Sequence, residues 1–176
     1  MANYEVAAID AVVNIYNAEA LTHRPDWKDG FFGDKIGADA KTVQGVELDE
    51  MLRRMDAAGI ERSFLIATKC GPIGHPSCYH LPLEVVNKAV KQYPDRFFAM
   101  YGVDPTQGMK AVHELQHVVE EYGYIGAHGY PHWFELPLDH ARWYPIYSKC
   151  CELDIPIQHQ IGQSLVYSPD YPVRSV

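Results

Sequence analysis

Apolar and polar positions along the chain alternate between two periods. Short runs that are mostly apolar occupy residues 6–15, 63–67, 97–103, 124–128 and 155–160, the last ending in polar residues. Turn residues bound each run, and the continuous apolar character is that of a parallel strand covered on both faces. After the first, their starts recur at about thirty residues, the length of a strand with its crossover helix. Between the runs the period becomes helical. Val46, Met51, Leu52 and Met55 share one stripe; Leu83, Val86, Ala89 and Val90 share a second, opened by Pro82. Met109, Val112, Leu115, Val119 and Tyr122 form a third, ended by Gly123. Trp143, Ile146, Tyr147, Cys150 and Leu153 form a fourth over residues 139–153, with Pro145 near its first turn. The pattern predicts an α/β chain of (βα)4β order, folded as one domain over residues 1–176.

The segments that follow the strands, residues 17–45, 69–81, 129–138 and 162–172, are long and rich in turn residues. Those that precede strands are short, as at Ala58-Gly59-Ile60 and Tyr93-Pro94-Asp95. Parallel sheets and barrels bind ligands over the carboxyl ends of their strands, where such long loops gather. A complete eight-stranded barrel takes about 250 residues. Five strands in 176 residues therefore predict a partial barrel, one part of a composite assembly, or an open five-stranded sheet.

Composition narrows the partners. A net charge of −8 lacks the clustered Lys and Arg that phosphate binding needs, so no nucleic-acid partner is expected. The first residues, Met1-Ala2-Asn3-Tyr4-Glu5, have neither a basic nor a long apolar region, and no apolar stretch is long enough for a membrane span. Cys70 and Cys78 lie too far apart for a zinc knuckle, and Cys150 and Cys151 are adjacent on a helical pattern. Buried thiols in a reducing cytoplasm are expected.

The phrases that carry chemistry are Ile9-Asp10, Tyr101-Gly102-Val103-Asp104-Pro105, Gly123-Tyr124-Ile125-Gly126-Ala127-His128, and Leu153-Asp154-Ile155-Pro156-Ile157-Gln158-His159-Gln160-Ile161-Gly162. Together they resemble the amidohydrolase-related metal-dependent hydrolases and decarboxylases, the branch that includes aminocarboxymuconate-semialdehyde decarboxylase. The likeness runs over nearly the whole chain and over the N-terminal part of the family's barrel only. It implies a partial TIM (β/α)8 barrel. In this family the first strand reads Ile-Asp-x-His-x-His, with both histidines on the metal; here those places hold Val12 and Asn14.

The resemblance implies hydrolysis or nonoxidative decarboxylation of a small carboxylated substrate, assisted by a divalent metal. Zinc is expected first, with manganese and iron as the other fits. His159 then takes a metal-ligand position at the end of the fifth strand. His128 stands where two-metal relatives place a bridging lysine or glutamate, as a ligand or a catalytic group, with His132 close behind it. Asn14 becomes a weak oxygen donor, and Asp10 a carboxylate near the floor of the site. Structural readings compete for each. A loop histidine is often a hydrogen-bonded packing residue, and Asp104 before Pro105 reads as a turn or cap residue. A homo- or hetero-oligomer is also expected.

Other signals are weaker. His113-Glu114-Leu115-Gln116-His117 matches the spacing of a zinc-protease helix, but it sits within an amphipathic crossover helix, away from the strand ends. His23, Trp27, Phe31 and Phe32, and separately His75, Tyr79 and His80, suit a lid, a substrate wall or a contact surface. No dinucleotide-binding glycine motif, phosphate-binding loop or nucleophile elbow occurs. Two rival readings remain: a catalytically silent subunit that serves as scaffold for an active paralogue, and a flavodoxin-like sheet that binds a small ligand.

Overall fold

The computed structural model of the chain describes residues 7–25, 28–75 and 78–162, and the backbone of 167–168 and 171–172. Val6, Trp27, residues 1–5 and most of the segment 162–172 lie outside the described residues. The chain divides into two compact units, Met1–Ala67 with Leu81–Ala99, and Thr68–His80 with Met100–Val176.

In the first unit, β1 (Ala8–Val13) pairs in parallel with β2 (Ile60–Ala67). Between them come two one-turn helices, α1 (Ala18–Leu21) and α2 (Ala40–Val43), and a longer helix, α3 (Leu48–Ala58). The short ones persist because their caps are strong: Asn17 Oδ1 accepts from Ala20 N at 2.9 Å and Asp39 Oδ1 from Thr42 N at 3.0 Å. Helix α3 buries Leu48 and Met55 and ends at Gly59, whose φ of 72° closes the helix and turns the chain into β2. A two-residue hairpin of β3 (Lys69–Cys70) and β4 (Tyr79–His80), which belongs to the second unit, interrupts the chain before α4 (Leu83–Gln92). Helix α4 buries Val85, Val86 and Ala89. With Leu65, Ile66 and Phe97 these residues make the core of the first unit.

Strand β5 (Phe97–Gly102) runs from the first unit into the second. There α5 (Met109–Tyr122), β6 (Gly126–Gly129), α6 (Pro131–Phe134), α7 (Tyr144–Glu152) and β7 (Ile157–His159) follow. The strand order is β1-β2-β5 in the first unit and β5-β6-β7 in the second, and the β5–β6 and β6–β7 pairings are parallel. Trp143, Leu115, Ile146, Val118, Cys150 and Tyr101 fill the second core. A two-residue antiparallel pairing joins β8 (Tyr167–Ser168) to β9 (Tyr171–Pro172).

The βα order and all five main strands are found where the apolar runs predict them, with shifts at the ends that have local causes. Strand β6 starts at Gly126 rather than residue 124 because the Tyr124 N–H still bonds Val118 O, closing α5 after Gly123. Strand β7 starts at Ile157 rather than 155, because the Ile155 N–H caps Cys150 O and Pro156 has no N–H to give. Segment 69–81, expected as a loop, contains the β3–β4 hairpin. Coverage on both faces holds for β5 and β6, but β1 leaves Ile9 and Val12 more than half exposed. The third helical stripe is rotated: α5 buries Ala111, Val112, Leu115 and Val118, while Met109 and Tyr122 are exposed. Among the described residues no cysteine is in a disulfide; Cys70 and Cys150 are buried as expected, whereas Cys151 is exposed. No described helix is long and apolar enough to cross a membrane.

Candidate functional site

Register assigns the side chains of the second unit to two faces. Met100 pairs with Gly126, Tyr101 with Ala127 and Gly102 with His128; Ala127 pairs with Ile157, His128 with Gln158 and Gly129 with His159. Paired residues share a face, and successive residues alternate. One face therefore carries Met100, Gly102, Gly126, His128 and Gln158. The other carries Tyr101, Ala127, Gly129, Ile157 and His159.

Contacts identify what covers the second of these faces. Tyr101 Oη donates to Glu114 Oε2 of α5 at 2.7 Å, and Lys69 Nζ donates to the same carboxylate at 3.0 Å. Burial first, and then the hydrogen bond to Glu114, push the Tyr101 hydroxyl far above its ordinary value. Burial alone would raise Glu114, but the hydrogen bonds from Tyr101 and Lys69 outweigh it and hold the carboxyl below the usual range. His159 lies edge-on to Trp143 at 5.1 Å and to Tyr147 of α7 at 5.6 Å. This is the helix-covered face.

His128 ends the opposite face, at the carboxyl end of β6. It is 2% exposed, and its Nδ1 lies 3.3 Å from Gln158 Oε1. Its Nε2 is buried with no hydrogen-bond partner among the described residues. Burial lowers its pKa to about 4; the Gln158 contact pulls the other way, and His159 lowers it further. The imidazole is therefore neutral at physiological pH, with one nitrogen engaged and one buried without a hydrogen-bond partner among the described residues.

Further polar groups gather at the same strand ends. The Val103 N–H donates to His128 O at 2.9 Å, which fixes the chain leading to Asp104. Asp104 is 1% exposed; its Oδ1 accepts from Thr106 N at 2.8 Å and Thr106 Oγ1 at 2.6 Å, the local cap expected of it. Its Oδ2 has no hydrogen-bond partner among the described residues. His132 on α6 is also buried, with Nδ1 at 3.2 Å from Gln160 O and Nε2 unpartnered in the same sense. Burial lowers its pKa, against the pull of the Gln160 carbonyl. His80 on the hairpin approaches Gly71 O at 3.0 Å; burial dominates in holding it below its ordinary value.

Of the expected ligands, His128 and His159 leave their paired strands on opposite faces. His159 ends its strand as predicted, but it turns to the helix side. A Cβ on Gly129 would sit 2.4 Å from its Nδ1, so the ring occupies the space that this glycine leaves open. His128 and His159 thus flank the sheet instead of facing one ion. Asp10 and Asn14 belong to the first unit: Asp10 is half-buried and accepts from Val12 N at 3.3 Å, and Asn14 is exposed. Val12 offers no donor atom. No group of three or more His, Cys, Asp and Glu residues suited to a metal ion occurs among the described residues. His113 and His117 are exposed on α5, while Glu114 between them turns inward to Lys69 and Tyr101. Of the first aromatic loop, Phe32 packs on Tyr16 at 4.6 Å and on Phe31 at 5.0 Å.

Sequence reading passed over Gln158 and gave Asp104 only its cap. The signal for Gln158 lies in the β6–β7 register, which pairs it with His128 and which the sequence alone does not give.

The chain matches the amidohydrolase family model over residues 23–176 and belongs to that family. No curated protein matches it in sequence. Among solved structures it is similar to 5-carboxyvanillate decarboxylase from Novosphingobium aromaticivorans, crystallised with manganese and 4-hydroxy-3-methoxy-5-nitrobenzoic acid: TM-score 0.66, 19% identity, 91% of this chain and 51% of that one. It is also similar to 2,6-dihydroxybenzoate decarboxylase from Rhizobium: TM-score 0.59, 22% identity, 90% and 51%. An uncharacterised TIM-barrel protein from Bordetella bronchiseptica gives TM-score 0.64 at 19% identity, over 88% and 55%. The fold is a partial TIM barrel, and the chain spans about half the length of each of these structures.

Proposed function

We propose that this chain carries the strand-end site of a nonoxidative decarboxylase or hydrolase that acts on a small carboxylated substrate. The observation behind the reading is His128: a buried, neutral imidazole with an unpartnered Nε2 at the carboxyl end of a barrel strand. Barrel enzymes of every chemistry act at that end. The neutral ring is suited to accept a hydrogen bond from a ligand hydroxyl or water. Asp104 supplies a carboxylate oxygen at the neighbouring strand end. Membership of the amidohydrolase family and the decarboxylases among the structural neighbours support the reaction class.

The family implies a divalent metal, and the neighbouring 5-carboxyvanillate decarboxylase was crystallised with manganese. The described residues of this chain do not fit such an ion by themselves, because His128 is the one imidazole of the β5-β6-β7 strands on its face. A tetrahedral protein site needs about three protein ligands, and no group of three or more His, Cys, Asp and Glu suited to an ion occurs among the described residues. No step proposed for His128 passes through a metal.

The test is turnover of a panel of small aromatic and aliphatic carboxylates by the full chain, followed by carbon dioxide release and ultraviolet absorbance, with and without added manganese or zinc. Turnover that is lost in His128→Gln supports the reading. An inactive parent protein under all these conditions, or a fully active His128→Gln variant, overturns it.

A further inference from the structure

We infer that Gln158 is a positioning residue for His128: its side-chain oxygen holds the imidazole in the Nδ1–H form and leaves the Nε2 lone pair open to the ligand. The inference rests on the reading of His128 as the group that meets the ligand. It deepens that reading by fixing which kind of ligand atom the ring accepts.

Three observations converge on it. His128 and Gln158 are register partners on adjacent parallel strands, so their side chains leave the sheet on the same face, side by side. The atom of Gln158 that approaches Nδ1, at 3.3 Å, is Oε1, which accepts and cannot donate. A neutral imidazole carries one N–H, so an acceptor at Nδ1 places the hydrogen there and the lone pair on Nε2. Nε2 is buried and unpartnered among the described residues. A lone pair so placed recognises an O–H or N–H donor or a cation. A bare carboxylate oxygen at the same point would meet a second acceptor. The substrate's hydroxyl, or a water to be activated, therefore meets His128, and a carboxylate must be bound elsewhere.

Tyr130 meets the His128 ring at 4.5 Å centroid to centroid, tilted by 53°, a ring contact with no preference between the two nitrogens. His159 leaves the sheet on the other face.

The experiment is nitrogen-15 NMR of the histidine side chains in the full chain at neutral pH, with the His128 signals assigned by their loss in His128→Asn. The expected result is a protonated Nδ1 and an unprotonated Nε2. In Gln158→Met, which keeps the length and removes the acceptor, the signals move toward the Nε2–H form that unconstrained histidine favours. In Gln158→Glu, which restores an acceptor, Nδ1 stays protonated. A parent protein with its hydrogen on Nε2 overturns the inference, and so does a Gln158→Met spectrum unchanged at His128. The parent spectrum decides the matter even where a variant fails to fold. None of these readouts uses turnover. An Nδ1–H ring in an inactive protein sinks the proposed function and leaves the positioning role standing; an Nε2–H ring in an active enzyme does the reverse.

Discussion

Gly129→Ala probes the placement of His159 directly. A methyl group at this position would lie 2.4 Å from His159 Nδ1, 2.7 Å from its Cε1 and 3.1 Å from the Trp143 ring. Distances under 3 Å force something to move, and little here can. The His159 ring is boxed edge-on by Trp143 and Tyr147, and Trp143 is fully buried and tied by its Nε1 to Leu136 O at 3.2 Å. Overpacking of a close-packed site costs about 1–3 kcal/mol. For a chain of this size each kcal/mol lowers Tm by about 2–4 °C, so a loss of about 2–12 °C is expected. Thermal unfolding followed by circular dichroism, with urea midpoints beside it, measures the effect. The His159→Ala background supplies the control: with the ring gone the methyl fits, and the two substitutions show a coupling of about 1–3 kcal/mol. A Gly129→Ala variant as stable as the parent in both backgrounds would refute the claim that His159 packs on the helix side.

Further outcomes follow from the same geometry. His128 and His159 are both held near 4 by burial, whereas an unfolded histidine titrates near 6.5. The unfolded chain thus binds protons first as the pH falls: stability is fully present above 6.5 and is lost as pH drops toward 4. For His128 alone the loss is on the order of 3 kcal/mol; a urea midpoint equal at pH 7.5 and 4.5 contradicts it. Lys69→Met strips a charged donor from the half-buried Glu114–Tyr101 pair and should cost about 1 kcal/mol in urea unfolding. His113→Ala and His117→Ala, on the exposed side of α5, should change stability by no more than about 0.5 kcal/mol; a loss of turnover in either would revive the helical metal-pair reading.

The apolar runs made most of the fold legible. Continuous runs at regular spacing require parallel strands with crossover helices, and glycines at 59 and 123 end the two helices that precede β2 and β6. Element ends were less legible, because they depend on single hydrogen bonds such as those of Ile155 and Tyr124. At the site, the residue that stood out in sequence as ending an apolar strand was His159, and His128 entered only through the position that two-metal relatives give a bridging group. The face of His159 was not legible, because a shift of one residue along a strand exchanges the two faces. Register comes from pairing with β6, and the deciding contact, an imidazole seated over Gly129, joins residues thirty apart. Gln158 was passed over for a related reason: an amide announces nothing in sequence until its neighbour across the strands is known.

The most direct test of the account compares His128→Gln with His159→Gln in one turnover assay on small carboxylated substrates, using variants confirmed as folded. The account predicts that His128→Gln lowers kcat/KM by about 5–100-fold, the loss of a buried hydrogen bond worth about 1–3 kcal/mol, while His159→Gln stays within a few-fold of the parent. The reverse pattern, with activity lost on His159→Gln and kept on His128→Gln, would contradict it.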